Sequence, residues 1–173
     1  MKKINLAILL FLVSVLLGMF QSCGPLMPDN KPTCCMRPTA PSDPTFKPYV
    51  DEFLYYQQKK STSIPVYFAD LEPGIAGVCH YFRVGSGPIR WGYIEIDKEY
   101  WGYISEFQKI NLIFHELGHC VLGRDHVPWG NSVMMCPQSM MYDTVLSTQC
   151  MEDNYQAYLE EMFPNFPWST NGQ

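Results

Sequence analysis

Positive charge is scarce in this chain. Lys and Arg number 12 against 17 Asp and Glu, a formal net charge of -5, so the cationic surplus of a nucleic-acid binder is missing. Charge of either sign is thin as well. Of the 173 residues 17% are charged and 47% hydrophobic, which excludes a disordered or fibrous chain and fits one globular domain. There is no internal repeat and no Cys-x-x-Cys pair, and the latter speaks against a zinc site built from cysteines alone. Histidine occurs four times. Against these shortages stand seven cysteines and 14% aromatic residues, a combination that points to a compact exported protein.

The N-terminus agrees with export. Lys2 and Lys3 precede an apolar run from Ile4 to Phe20, and Gln21-Ser22-Cys23-Gly24 follows. Charged, apolar and small-residue regions in that order describe a secretory signal over residues 1–22. The alternative, a membrane-spanning helix, would sit at the lower length limit for crossing a bilayer. The segment also resembles a bacterial lipoprotein signal. That resemblance implies cleavage before Cys23, lipidation of Cys23, and a mature protein tethered to the membrane of the cell envelope. Each buried methylene of a lipid contributes about 0.8 kcal/mol, so several acyl chains anchor a soluble domain.

Residues 23–48 carry Pro25, Pro28, Pro32, Pro38, Pro41, Pro44 and Pro48. Proline at this density blocks helix interiors and central strands, so the segment reads as an extended tether or as a short pro-segment laid over an active site. Cys34 and Cys35 within it either join disulfides or offer a thiolate to a metal. Six cysteines besides Cys23 allow many pairings, and the sequence does not choose among them. Cys120, inside a helical pattern, reads as a buried thiol.

Residues 49–173 then form a single domain. Tyr49–Lys60 reads as a helix, Ile64–Ala69 as a strand closed by a Glu72-Pro73-Gly74 turn, and Val78–Val84 as a second strand. Arg90–Asp97 alternates, with Trp91 and Tyr93 on one face and Ile94 and Ile96 on the other. Ser105–Leu122 is the clearest helix. Ser105 is placed to cap it, Phe107, Ile110, Phe114, Leu117 and Val121 follow helical spacing, and Gly123 supplies the stop. Glu152–Phe163 forms a last helix, ended by Pro164. Short strands ahead of a long helix give the expected class, α+β.

The central helix carries His115-Glu116-Leu117-Gly118-His119. Two histidines four apart project from one helix face a turn apart, where they can share a metal ion. Glu116 sits beside the first ligand, where its carboxylate can take a proton from a water polarised by the ion. The run continues Cys120-Val121-Leu122-Gly123-Arg124-Asp125-His126. Three of the four histidines thus fall within twelve residues, enough for three nitrogen ligands and one open position. His80, the fourth, lies in a strand pattern and reads as structural.

Here the chain resembles the metzincin metallopeptidases, whose pattern is HExxHxxGxxH followed by a methionine-containing turn. One residue more than usual separates His119 from Gly123, which leaves Asp125 where the common spacing puts a ligand. Snapalysins use aspartate there, so Asp125 competes with His126. Two features favour His126. Gly-x-x-His is intact from Gly123, and Met134 lies eight residues beyond His126 with Pro137 following, similar to matrixin spacing.

The resemblance implies a zinc endopeptidase domain of α+β class, with a small twisted mixed sheet packed on the active-site helix and a C-terminal helix. One Zn2+ would be held by His115, His119 and His126, Glu116 would act as general base, and Met134 would pack beneath the site. It also implies that a strand, assigned here to Arg90–Asp97, pairs with extended peptide substrate, and that Gln138–Cys150 lines an adjoining pocket. Met140, Met141, Tyr142 and Leu146 suggest an apolar one. The expected partners are a protein or peptide substrate and, through Cys23, the membrane, with the chain itself a monomer. The reading that competes is a non-catalytic, zinc-stabilised envelope lipoprotein that binds a partner.

Overall fold

The computed structural model describes residues 41–83, 89–128 and 136–168, all within the compact unit Arg37–Gln173. The signal segment, Cys23, Cys34, Cys35 and Met134 lie outside the described residues.

Folded structure starts earlier than the tether reading allows. A 3-10 turn, Pro44–Phe46, is capped by the Asp43 carboxylate, which accepts from the Thr45 amide, and it leads directly into helix α1, Lys47–Gln57. Pro44 and Pro48 occupy first-turn positions, where a missing N–H costs nothing because no helical carbonyl awaits it. Phe46 is fully buried. The Pro-rich stretch therefore stops being a tether by residue 42, where the Ser42 hydroxyl accepts from the Val66 amide at 3.0 Å. Helix α1 ends at Gln58 in the left-handed conformation, before the two lysines expected to close it.

Three strands follow: β1 (Val66–Ala69), β2 (Gly77–Arg83) and β3 (Ile89–Asp97). They form a mixed sheet in the order β1-β3-β2, with β1 parallel and β2 antiparallel to β3. The alternation in β3 holds, since Ile94 and Ile96 are fully buried against the helices. Its position differs from expectation. With a neighbour on each side, β3 has no free edge for a substrate strand, whereas β2 is an outer strand of the described sheet. Alternating hydrophobicity reports which face of a strand is buried, not whether the strand is central.

Asp97 ends β3 and caps a short helix that the sequence pattern did not reveal, α2 (Lys98–Tyr103), by accepting from the Tyr100 amide at 2.7 Å. Helix α3, Glu106–Leu117, begins at Ser105 with a reciprocal capping box. The Ser105 hydroxyl accepts from the Gln108 amide, and the Gln108 side chain accepts from the Ser105 amide. Ser105→Ala should therefore lower stability by about 1 kcal/mol, read as a shift in the urea unfolding midpoint at unchanged slope.

Helix α3 is buried on more than one side. Leu112, Ile113, Phe114 and Leu117 are all in the core, while Phe107 and Ile110, expected inside, are only partly covered. The sheet and α1 and α4 together enclose it, so the single apolar stripe anticipated is too narrow. Helix α4, Thr148–Met162, starts four residues before the expected point because Ser147 caps it. Phe53 of α1 stands edge-on to Phe114 at 5.3 Å and to Phe163 at 5.1 Å, joining α1, α3 and the end of α4.

Two disulfides close the unit. Cys79 of β2 bonds Cys120, just past α3, and Cys136 bonds Cys150 in the first turn of α4. Cys120 is therefore not a free thiol. Such bridges belong to an oxidising compartment. Among the described residues no helix is long and apolar enough to cross a membrane.

Candidate metal centre

Beyond Leu117 the helix changes pitch. Gly118–Leu122 forms a π turn, and the chain leaves it at Gly123 with φ 67°. A π turn absorbs one additional residue without breaking the helix, and such turns recur at functional sites. The extra residue between His119 and Gly123 is thus accommodated inside the helix, and the chain after Gly123 carries His126 back over His115 and His119. Gly118 is required here for a different reason. A Cβ on it would lie 2.5 Å from Met141 Sδ, so its absence lets the segment around Met141 press against the helix.

The three imidazoles converge. His115 Nε2 lies 3.0 Å from His119 Nε2 and 3.1 Å from His126 Nε2. Each ring is held from behind at Nδ1. His115 Nδ1 is 2.7 Å from the Met140 carbonyl, His119 Nδ1 is 2.6 Å from the Arg124 carbonyl, and His126 Nδ1 meets the Asp143 carboxylate. Those partners only accept, so in each neutral ring Nδ1 carries the hydrogen and Nε2 presents a bare lone pair. Burial reinforces this by pushing His115 down to about 4 and His119 below its ordinary value. Three lone pairs at such distances cannot hydrogen-bond one another; they repel unless a cation lies between them. Tetrahedral ligands at about 2.0–2.1 Å from a zinc ion would sit about 3.3 Å apart, close to what is seen. The donor set fits a metal ion, and the three histidines lie close enough to hold one.

Glu116 is buried beside the cluster, at 5% exposure, and accepts a hydrogen bond from the Cys79 amide of β2. Burial pushes its carboxyl up to about 7, against the opposing pull of that amide. Glu116 and the histidines open into a cleft of about 700 Å³, whose walls include Gly77 and Val78 of β2, Asn111 of α3, and Tyr142 and Val145.

Asp125 also borders the cleft but does not belong to the histidine cluster. His80 stands apart from it, stacked on Tyr93 at 4.4 Å with Nε2 2.8 Å from Glu95. Met140, Met141 and Leu146 do not line the pocket as expected. All three are core residues; of the four expected only Tyr142 lines the cleft, where Asp143, Thr144 and Val145 join it. Sequence reasoning missed Asp143 and the carbonyls of Met140 and Arg124. A backbone carbonyl carries no residue signature, and one aspartate among many gives no signal.

No protein-family model, curated protein or solved structure matches the chain.

Proposed function

We propose that this protein is a zinc-dependent endopeptidase of metzincin type, anchored in the cell envelope through Cys23. The observation that carries the reading is the convergence of three imidazole Nε2 atoms beside a buried glutamate in an open cleft. A zinc ion at that point would supply Lewis acidity and acidify a water molecule. The chain's own residues supply the rest. His115, His119 and His126, all of which border the cleft, would hold the ion. Glu116 takes the proton from the attacking water and passes it to the departing amine, a task suited to a carboxyl whose affinity for a proton is raised toward 7.

The outer strand β2 borders the same cleft and would receive an extended peptide by strand addition, the role first assigned to β3. A glutamate buried next to the ligands rather than exposed on the surface favours chemistry over a purely structural ion. The two disulfides accord with an exported location.

The test is metal content and affinity of the purified mature protein, with the ligands varied singly. One zinc per chain is expected. Asp125→Ala should retain it, and His126→Ala should weaken binding by more than about 100-fold, because a three-ligand site loses a first-sphere donor. Peptide hydrolysis should stop on chelation and return with added zinc. Zinc retained by His126→Ala but lost from Asp125→Ala would reassign the third ligand. No zinc in the wild type would remove the proposal.

A further inference from the structure

The two carbonyls behind His115 and His119 come from two separate turns of the chain, at Met140 and Arg124, yet one side chain ties both down. We propose, resting on the metal-centre reading above, that Glu161 of α4 is the positioning residue for these two ligands. Its carboxylate receives the Arg124 guanidinium through both terminal nitrogens, with Nη1 at 3.2 Å from Oε2 and Nη2 on Oε1. Oε2 also accepts from the Ser139 hydroxyl at 3.0 Å.

Arg124 is the residue whose carbonyl receives His119 Nδ1. Ser139 immediately precedes Met140, whose carbonyl receives His115 Nδ1, and the Ser139 hydroxyl in turn accepts from the Met141 amide at 3.1 Å. The turn from Ser139 to Met141 is thereby clamped around the Met140 carbonyl. The third ligand is linked to the same turn, since the Val127 amide, next to His126, donates to the Met141 carbonyl at 2.9 Å. Tyr158, one turn before Glu161 on α4, adds a bond from its hydroxyl to the Pro137 carbonyl at 2.8 Å.

The arrangement has a clear physical purpose. A backbone carbonyl can orient an imidazole only as well as the loop bearing it is held, and loops without such ties sample many conformations. A forked Arg–carboxylate pair fixes both distance and direction. Ser139 is 4% exposed, so its hydroxyl has little water to fall back on when Glu161 is removed. Glu161 touches neither ion nor substrate. It acts through Arg124 and Ser139 on the direction in which two lone pairs point.

The experiment compares zinc affinity, by chelator competition, with the unfolding midpoint of metal-free protein. Glu161→Ala should weaken zinc binding by about 10- to 100-fold, the usual cost of losing an outer partner of a metal ligand. Glu161→Gln, which keeps the shape and one accepting oxygen, should lose about fivefold and serves if the alanine variant does not fold. Arg124→Ala keeps its carbonyl but frees it, and combined with Glu161→Ala should cost little beyond the larger single loss. Tyr155→Phe removes the hydrogen bond from Tyr155 to Glu52, elsewhere on α4, and should lower stability while leaving zinc affinity unchanged. A folded Glu161→Gln or Glu161→Ala protein that binds zinc within twofold of wild type overturns the role of Glu161. A wild type that binds no zinc overturns the metal centre itself.

Discussion

Glu116→Gln should leave zinc in place and slow peptide hydrolysis by about 10²- to 10⁴-fold, the usual share of a general base in a reaction that moves protons. The substitution keeps the size of the side chain, which matters because Glu116 is confined. A Cβ on Gly77 would come within 3.0 Å of its Oε1, so β2 packs directly on the carboxylate. Glutamine still offers one oxygen to the Cys79 amide, and that wall of the cleft should hold. What glutamine cannot do is accept a proton from water near neutral pH. The ligand nitrogens of His115, His119 and His126 take no part in the change, so metal content should match wild type. The measurement is zinc content alongside mass-spectrometric detection of cleavage in a peptide mixture. Equal cleavage by variant and wild type would end the assignment of Glu116. Zinc bound at full stoichiometry with no cleavage by the wild type would favour the non-catalytic alternative.

The parts of this site legible in the sequence are those whose chemistry depends on residue type at fixed spacing. His115, Glu116 and His119 announce themselves because a helix face turns a spacing of four into adjacency. Spacing favoured His126 over Asp125 without excluding the aspartate, since one inserted residue can lengthen either the helix or the loop after it. Here it enters the π turn Gly118–Leu122. Beyond the ligands the sequence falls silent. The groups that orient His115 and His119 are carbonyls, present on every residue, and their selection depends on how the Ser139–Met141 turn docks. Met140 and Met141 looked like pocket residues because soft apolar side chains suit both pocket and core, and only the approach permitted by Gly118 decides for the core. Strand order was hidden for a similar reason. The periodicity of β3 located its buried face, and nothing in its own residues said that β2 and β1 would flank it.

Replacing both Cys79 and Cys120 by serine should lower stability by about 4 kcal/mol, because the bridge closes a loop over a sequence separation of 41. The same replacement at Cys136 and Cys150, with a separation of 14, should cost about 3 kcal/mol. Against a total of about 5–15 kcal/mol for a domain of this kind, either loss is large. The first pair should also impair function while the protein remains folded. Cys79 contributes the amide that holds Glu116, and Cys120 follows His119 within the π turn, so their bond fastens the cleft wall to the helix that bears the ligands. Cutting it leaves β2 held by its pairing with β3 and by its packing on α3, and the Glu116 carboxylate gains room to move. Urea unfolding of the metal-free protein gives the stability change. Cleavage measured well below the unfolding transition gives the functional one, expected as a loss of rate at near-normal zinc content. A serine pair at positions 79 and 120 that unfolds within 1 kcal/mol of wild type and cleaves at the same rate would mean that packing of β2 on α3 is sufficient without the bridge.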